Sequence, residues 1–195
     1  MKKNCSYLIF YLVLVIPIIV LIMPASAWSA TFNVATVSDL ENALTAAQQN
    51  GEDDTIIVAA GTYDVSGGTL TYVASSVGAG ENFALTIEGA GTGQTVIDGG
   101  NAAQCLSILT STGVFDDSAA PITIRDISFQ NGAASNNGGG ANIRTLNASI
   151  TIENSVFDSN DSNVGNSDGG GLSVRTWGTG TIMISGITAS NNVSG

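Results

Sequence analysis

Gly138-Gly139-Gly140-Ala141-Asn142-Ile143-Arg144-Thr145 returns 31 residues later as Gly169-Gly170-Gly171-Leu172-Ser173-Val174-Arg175-Thr176. A second phrase alternates with it: Ile122-Thr123-Ile124-Arg125, then Ile150-Thr151-Ile152-Glu153, then Ile182-Met183-Ile184-Ser185. The Ile phrases are 28 and 32 residues apart, a period in the range of solenoid repeats. Some pieces of the repeat hold their length. Phe129 and Phe157 each follow their Ile phrase by 7 residues, and the step from triplet to next Ile phrase is 12 or 13. From Phe to triplet the step is 9 in one copy and 12 in the next, so most of the variation falls in Asn131 to Asn137 and Asp158 to Asp168. Fixed strand-like pieces beside polar loops of variable length are the pattern of a coil that repeats.

Side chains alternate between the two faces of a strand, so every second residue points inward. Ile122, Ile124, Ile150, Ile152, Ile182 and Ile184 are therefore expected in columns inside the coil, as are Ile143 with Val174 and Phe129 with Phe157. Leu85-Thr86-Ile87-Glu88, Thr95-Val96-Ile97-Asp98-Gly99 and Leu106-Ser107-Ile108 supply an earlier coil, whose last turn is enlarged by Thr112 to Pro121. Coils stacked about 4.8 Å apart satisfy one another's backbone groups, which leaves unmet edges only at the two ends. The coil begun at Ile182 does not reach a third Gly triplet before Gly195. An uncapped last coil is expected to continue in further chain or to associate edge to edge with a partner.

Toward the N-terminus the texture changes. Lys2 and Lys3 precede an apolar run from Tyr7 to Met23, and Ala25-Ser26-Ala27 has the small-x-small form of a cleavage site. Residues 1–27 read as a secretory signal peptide, with an uncleaved anchor as the alternative. Residues 28–54 follow as a strand at Phe32-Asn33-Val34-Ala35 and a capping helix started by Ser38 or Asp39, with Leu40, Ala43, Leu44 and Ala47 on one face. Residues 55–195 are the coils, expected to be incomplete at their C-terminal end.

The charge balance narrows the partners. The chain holds 16 acidic residues, all after position 38, and no His. Beyond the leader three arginines face those 16 carboxylates, a balance of −13. Such a surface repels phosphate backbones and anionic lipids, so no nucleic-acid partner is expected, and membrane attachment only through the leader or through chain beyond Gly195. Cys5 lies in the leader and leaves Cys105 without a disulfide partner. Its apolar neighbour Leu106 suits a small buried residue better than a reactive thiol.

Asp54-Thr55-Ile56-Ile57-Val58-Ala59-Ala60-Gly61-Thr62-Tyr63, with Thr95-Val96-Ile97-Asp98-Gly99-Gly100 and the Gly triplets, resembles the right-handed parallel β-helix proteins of the pectin-lyase-like superfamily. The adhesin-like and outer-membrane-associated members share such phrases. The resemblance spans about residues 31–195. It implies an all-β, right-handed parallel β-helix solenoid with a short N-terminal capping helix, and a secreted, cell-surface or outer-membrane protein with a binding, adhesive or structural role. It also implies that a substrate groove, where such proteins have one, runs along the outer face of one sheet beside the long loops. The alternative is a polysaccharide lyase or glycoside hydrolase acting on acidic polysaccharide, with catalytic coils partly beyond Gly195.

No catalytic set is visible. Arg144 and Arg175 alternate outward and are expected one above the other, where they could hold an acidic group of a polysaccharide or surface glycan by bidentate contacts. Asp126, Glu153 or Asp168 could instead neutralise them, and no Lys or His accompanies them as a base. Trp177, in the turn after Arg175, is expected to be exposed. Asp158, Asn160, Asp161 and Asp168 concentrate oxygen atoms in the manner calcium prefers, although the loop lacks the Gly and distal Glu of the helix-loop-helix calcium pattern; no cofactor is expected other than a calcium ion at this loop. Asn131, Asn160, Asn191 and Asn192 recur near the Phe position, which favours a structural Asn ladder. Beyond the leader three glycosylation triplets begin at Asn147, Asn160 and Asn192, and Asp53-Asp54 and Asp116-Asp117 show no sign of the environment a pair of catalytic carboxylates needs.

Overall fold

The computed structural model describes residues 28–74, 82–110, 116–162 and 168–195. The leader, part of the enlarged turn before Pro121 and the centre of the loop after Asp158 lie outside the described residues. The chain is an all-parallel β-solenoid of about four turns, with one short helix among the described residues.

Each turn supplies one strand to each of three sheets. The first turn is β2 (Asp53–Val58), β3 (Gly61–Asp64) and β4 (Leu70–Val73), preceded by β1 (Ser29–Val34) and α1 (Val37–Ala47). The second is β5 (Leu85–Gly89), β6 (Thr95–Asp98) and β7 (Leu106–Leu109), and the third is β8 (Ile122–Arg125), β9 (Ser128–Gln130) and β10 (Ala141–Thr145). The fourth holds β11 (Ile150–Glu153), β12 (Val156–Asp158), β13 (Asp161–Ser162) and β14 (Leu172–Thr176). A last partial turn contains β15 (Ile182–Ser185), β16 (Thr188–Ser190) and β17 (Val193–Ser194). The sheets run β1-β2-β5-β8-β11-β15, β3-β6-β9-β12-β16 and β4-β7-β10-β14, with β13 and β17 as a small fourth. Every ladder is parallel.

The register is the one that the repeated phrases predict. Ile122 pairs with Ile150 and Ile150 with Ile182, Ile124 with Ile152 and Ile152 with Ile184. Ile143 pairs with Val174, and Phe129 with Phe157. The two Phe rings stack with centroids 5.2 Å apart and planes 10° from parallel, an offset geometry that adds to their burial. Inside the stack Ile122, Ile124, Ile150 and Ile152 are buried, whereas Ile182 and Ile184, on the edge strand β15, are 42% and 46% exposed because no coil among the described residues lies over them.

Corners are set by residues that tolerate a left-handed backbone. Asp126, Asn154 and Gly186 have φ of 60°, 44° and 63° between the first and second sheets. Asn131, Ser159 and Asn191 have φ of 50°, 56° and 53° at the exit of the second. Asn and Asp visit this region at lower cost than other non-glycine residues. The expected Asn ladder thus resolves into two neighbouring columns. Asn131 and Asn191 turn the corner, while Asn160 and Asn192 form the ladder itself. Asn160 Nδ2 donates to the Phe129 carbonyl at 3.1 Å and to Asn192 Oδ1 at 3.0 Å, its Oδ1 accepts from Gly132 N at 2.8 Å, and Asn192 Nδ2 donates to the Phe157 carbonyl at 2.8 Å.

The helix cap lies two residues before Ser38 and three before Asp39, the caps expected from the sequence. Thr36 is extended and its Oγ1 accepts from Asp39 N at 3.1 Å, so Thr36, not Ser38 or Asp39, satisfies one of the free amides of the first turn. Its buried face is Leu40, Ala43, Leu44 and Ala47, the face that the spacing predicts. No helix among the described residues is long and apolar enough to cross a membrane.

Candidate functional site

Arg144 and Arg175 are register partners on β10 and β14, but their surroundings differ. The Arg175 guanidinium lies 3.8 Å from Asp168 Oδ2 and 5.8 Å from the centre of the Trp177 ring. Trp177 is 53% exposed, as its place after the strand predicts. Of the three acids that could neutralise the pair, Asp168 meets Arg175. Arg144 meets none among the described residues, and its Nε is buried without a hydrogen-bond partner.

Arg144 sits in a groove of about 450 Å³ on the outer face of the four-stranded sheet. The floor is Ser107, Asn142 and Arg144, and the wall comes from three successive turns, 66–69, 102–104 and 133–136. Gln104 ties its turn to the loop before β10 one coil on, since its Nε2 donates to the carbonyls of Asn137 and Gly138 at 2.8 and 2.6 Å. Among the described lining residues there is no Asp, Glu, His, Lys, Cys or Tyr. Arg144 is therefore the single formal charge among the described lining residues.

Asn142 is the residue that reading the sequence missed. It is only 6% exposed although it points outward, because the turns close over it, and its Oδ1 has no hydrogen-bond partner. Alternation alone places Asn142 on the same side of β10 as Arg144, two residues away, which was the available signal. What alternation lacks is the wall.

The oxygen-rich loop is used by the fold. Asp158 accepts from Ser190 Oγ and from Asn191 Nδ2 at 3.0 Å, and these two hydrogen bonds hold its carboxyl below the ordinary range. Asn160 is fully committed to the ladder, Asp161 is exposed in β13, and Asp168 is exposed beside Arg175. Among the described residues no three His, Cys, Asp or Glu side chains are grouped to hold a metal ion. The triplet asparagines are engaged as well: Asn160 is buried, Asn192 bonds Phe157, and Asn147 Oδ1 accepts from Thr179 N at 3.2 Å.

Two carboxyls without a distinguishing sequence signature have distinctive environments. Asp54 opens the buried side of β2 at 3% exposure. Burial raises its pKa from 3.8 to about 6, partly opposed by the hydrogen bond from Asn50 Nδ2 at 2.6 Å and helped by the charges of Glu52 and Asp53. Asp117, 1% exposed, accepts from Thr110 Oγ1 and from the backbone amides of Leu146, Asn147 and Ala148. Burial raises its pKa, but those four bonds outweigh it and hold the carboxyl low. The carboxylate pins the turn after β10 to the preceding coil. Cys105 is fully buried against the carbonyls of Ile97 and Gln130, and burial pushes its thiol up to about 12, the inert environment that its apolar neighbour suggests.

No protein-family model, curated protein or solved structure matches the chain. Its fold and site rest on its own repeats and geometry.

Proposed function

We propose that this chain is an exported cell-surface or extracellular β-solenoid that binds a polysaccharide or surface glycan and carries out no catalysis on it. The groove over β7 and β10 carries the reading: it is a polar cleft with one unpaired guanidinium and, among its described residues, no group able to take or give a proton near neutral pH. Acid–base chemistry on a glycan needs such a group within hydrogen-bond reach of the reacting atom. Binding needs only complementary donors and acceptors. The leader of residues 1–27 supports export, and the resemblance to adhesin-like β-helix proteins supports a surface role.

Two measurements test this. Expressed in full in a secreting host, the chain should appear outside the cell with its N-terminus after Ala27, and it should be retained on insoluble cell-wall polysaccharide. Incubation with polygalacturonate should release no unsaturated ends. Cleavage that disappears in both Arg144→Ala and Arg175→Ala would overturn the reading in favour of a lyase.

A further inference from the structure

A buried polar atom without a partner is uncommon and costly, because water has been removed and nothing replaces it. The groove floor holds two, Asn142 Oδ1 and Arg144 Nε, on one strand and one face. They are opposite in kind. The amide oxygen needs a donor, and the guanidinium N–H needs an acceptor.

From this pair we infer that the groove is a specific site for a glycan end bearing one acidic group, with a hydroxyl or amide N–H beside it. The inference rests on the binding role proposed above and names what is bound. An anion without a hydroxyl, such as sulfate or chloride, offers only acceptors and leaves Asn142 Oδ1 unmet. A metal ion could coordinate Asn142 Oδ1 but would face the Arg144 charge and leave its Nε–H unmet. A neutral sugar can bond Asn142 but leaves the one charge of the groove uncompensated. A sugar acid supplies both groups from one ring, its carboxylate on Arg144 through charge-assisted bonds and its hydroxyl or N-acyl N–H on Asn142.

Charge also sets the number of acidic groups. The described lining of the groove has a single cation, and the guanidinium one coil away is already met by Asp168 and the Trp177 ring. Beyond the leader three arginines against 16 acids leave −13, so a polyanion gains one favourable contact and is repelled elsewhere. A single acid on an otherwise neutral chain avoids that repulsion. The small wall residues Gly67, Gly68, Ala102, Ala103, Ala133 and Ala134 leave room for the ring.

Neighbouring coils supply variants that the fold already accepts. Ser107 and Ser173 occupy the register position of Asn142, and Leu109 occupies that of Arg144. Asn142→Ser and Arg144→Leu should therefore fold with little change in melting temperature. Calorimetric titration of the exported chain would use N-acetylneuraminyl-lactose and a glucuronate-terminated disaccharide as acidic probes, with lactose and tetragalacturonate for comparison. At least one acidic probe should bind about tenfold or more tightly than lactose, the scale of one charge-assisted contact. Each variant should remove about that factor, and tetragalacturonate should bind no more tightly than the acidic probe. Equal affinity for lactose, affinity unchanged in both variants, or absence of binding by both acidic probes overturns the inference while retention on cell-wall polysaccharide still stands. Cleavage of tetragalacturonate overturns the non-catalytic reading instead.

Discussion

At 3% exposure, with Glu52 and Asp53 beside it, the Asp54 carboxyl is held where its charged form is poorly solvated. The sign of its effect follows from linkage. Its folded pKa of about 6 lies above the ordinary 3.8, so between those values the folded chain binds the proton more tightly than the unfolded chain. Stability from this group is complete below about pH 4, falls as pH rises through 6, and is gone above it. The full shift corresponds to about 3 kcal/mol. Asp54→Asn keeps an acceptor for Asn50 Nδ2 and removes the charge. Urea denaturation should find the variant more stable than the parent at pH 8 by about 1–3 kcal/mol, with the gap closing at pH 4. A gap independent of pH would mean that the carboxyl is not the source.

At the scale of the element, the Gly triplet is a joint that another side chain does not fit. Gly138 has φ of +67°, and a methyl there would run into the Ala141 carbonyl. Gly169 repeats both features one coil on, with φ of +69° against the Leu172 carbonyl. Gly138→Ala should cost about 2 kcal/mol or more in thermal denaturation, from the left-handed backbone together with the contact. Gly68→Ala, where nothing lies within 4 Å, should change stability by less than about 0.5 kcal/mol. A neutral Gly138→Ala would show that the turn before β10 shifts freely, and Arg144 with it.

The same joint explains what was legible in the residues. Ile, Phe and Gly columns repeat because each contacts its own kind one coil away, so spacing along the chain reports stacking in space, and register followed directly. The groove was half legible: Arg144 stood out as a repeated charge, while Asn142 did not, since its burial comes from turns 66–69, 102–104 and 133–136 of three different coils. The Asp117 clamp has the same origin. Its partners are Thr110 and the turn 146–148, and no spacing rule links an acid to amides a coil ahead. The helix cap differed for a local reason, Thr36 Oγ1 reaching Asp39 N before Ser38 is needed.

Over the whole molecule, stability in a solenoid is a sum over coils and the contacts between them. One end of this stack is covered: β1 extends the first sheet and α1 seats Leu40 and Leu44 beside Val58, Leu70 and Ile87. At the other end Ile182, Met183, Ile184 and Val193 are 42–59% exposed. The contrast is sharpest between Ile152 and Ile184, which share one column and one chemistry but not one environment. Ile152 is fully buried with a coil on each side, and Ile184 is 46% exposed with a coil on one. Ile152→Ala removes packed methylenes and leaves a cavity, for a loss of about 2–5 kcal/mol. Ile184→Ala removes groups already half in water and leaves no enclosed void, so its loss should be about 1 kcal/mol or less. Urea denaturation of the two variants at one low protein concentration measures the difference directly. Equal losses would mean that Ile184 is as well packed in solution as Ile152, and hence that another surface covers β15 there.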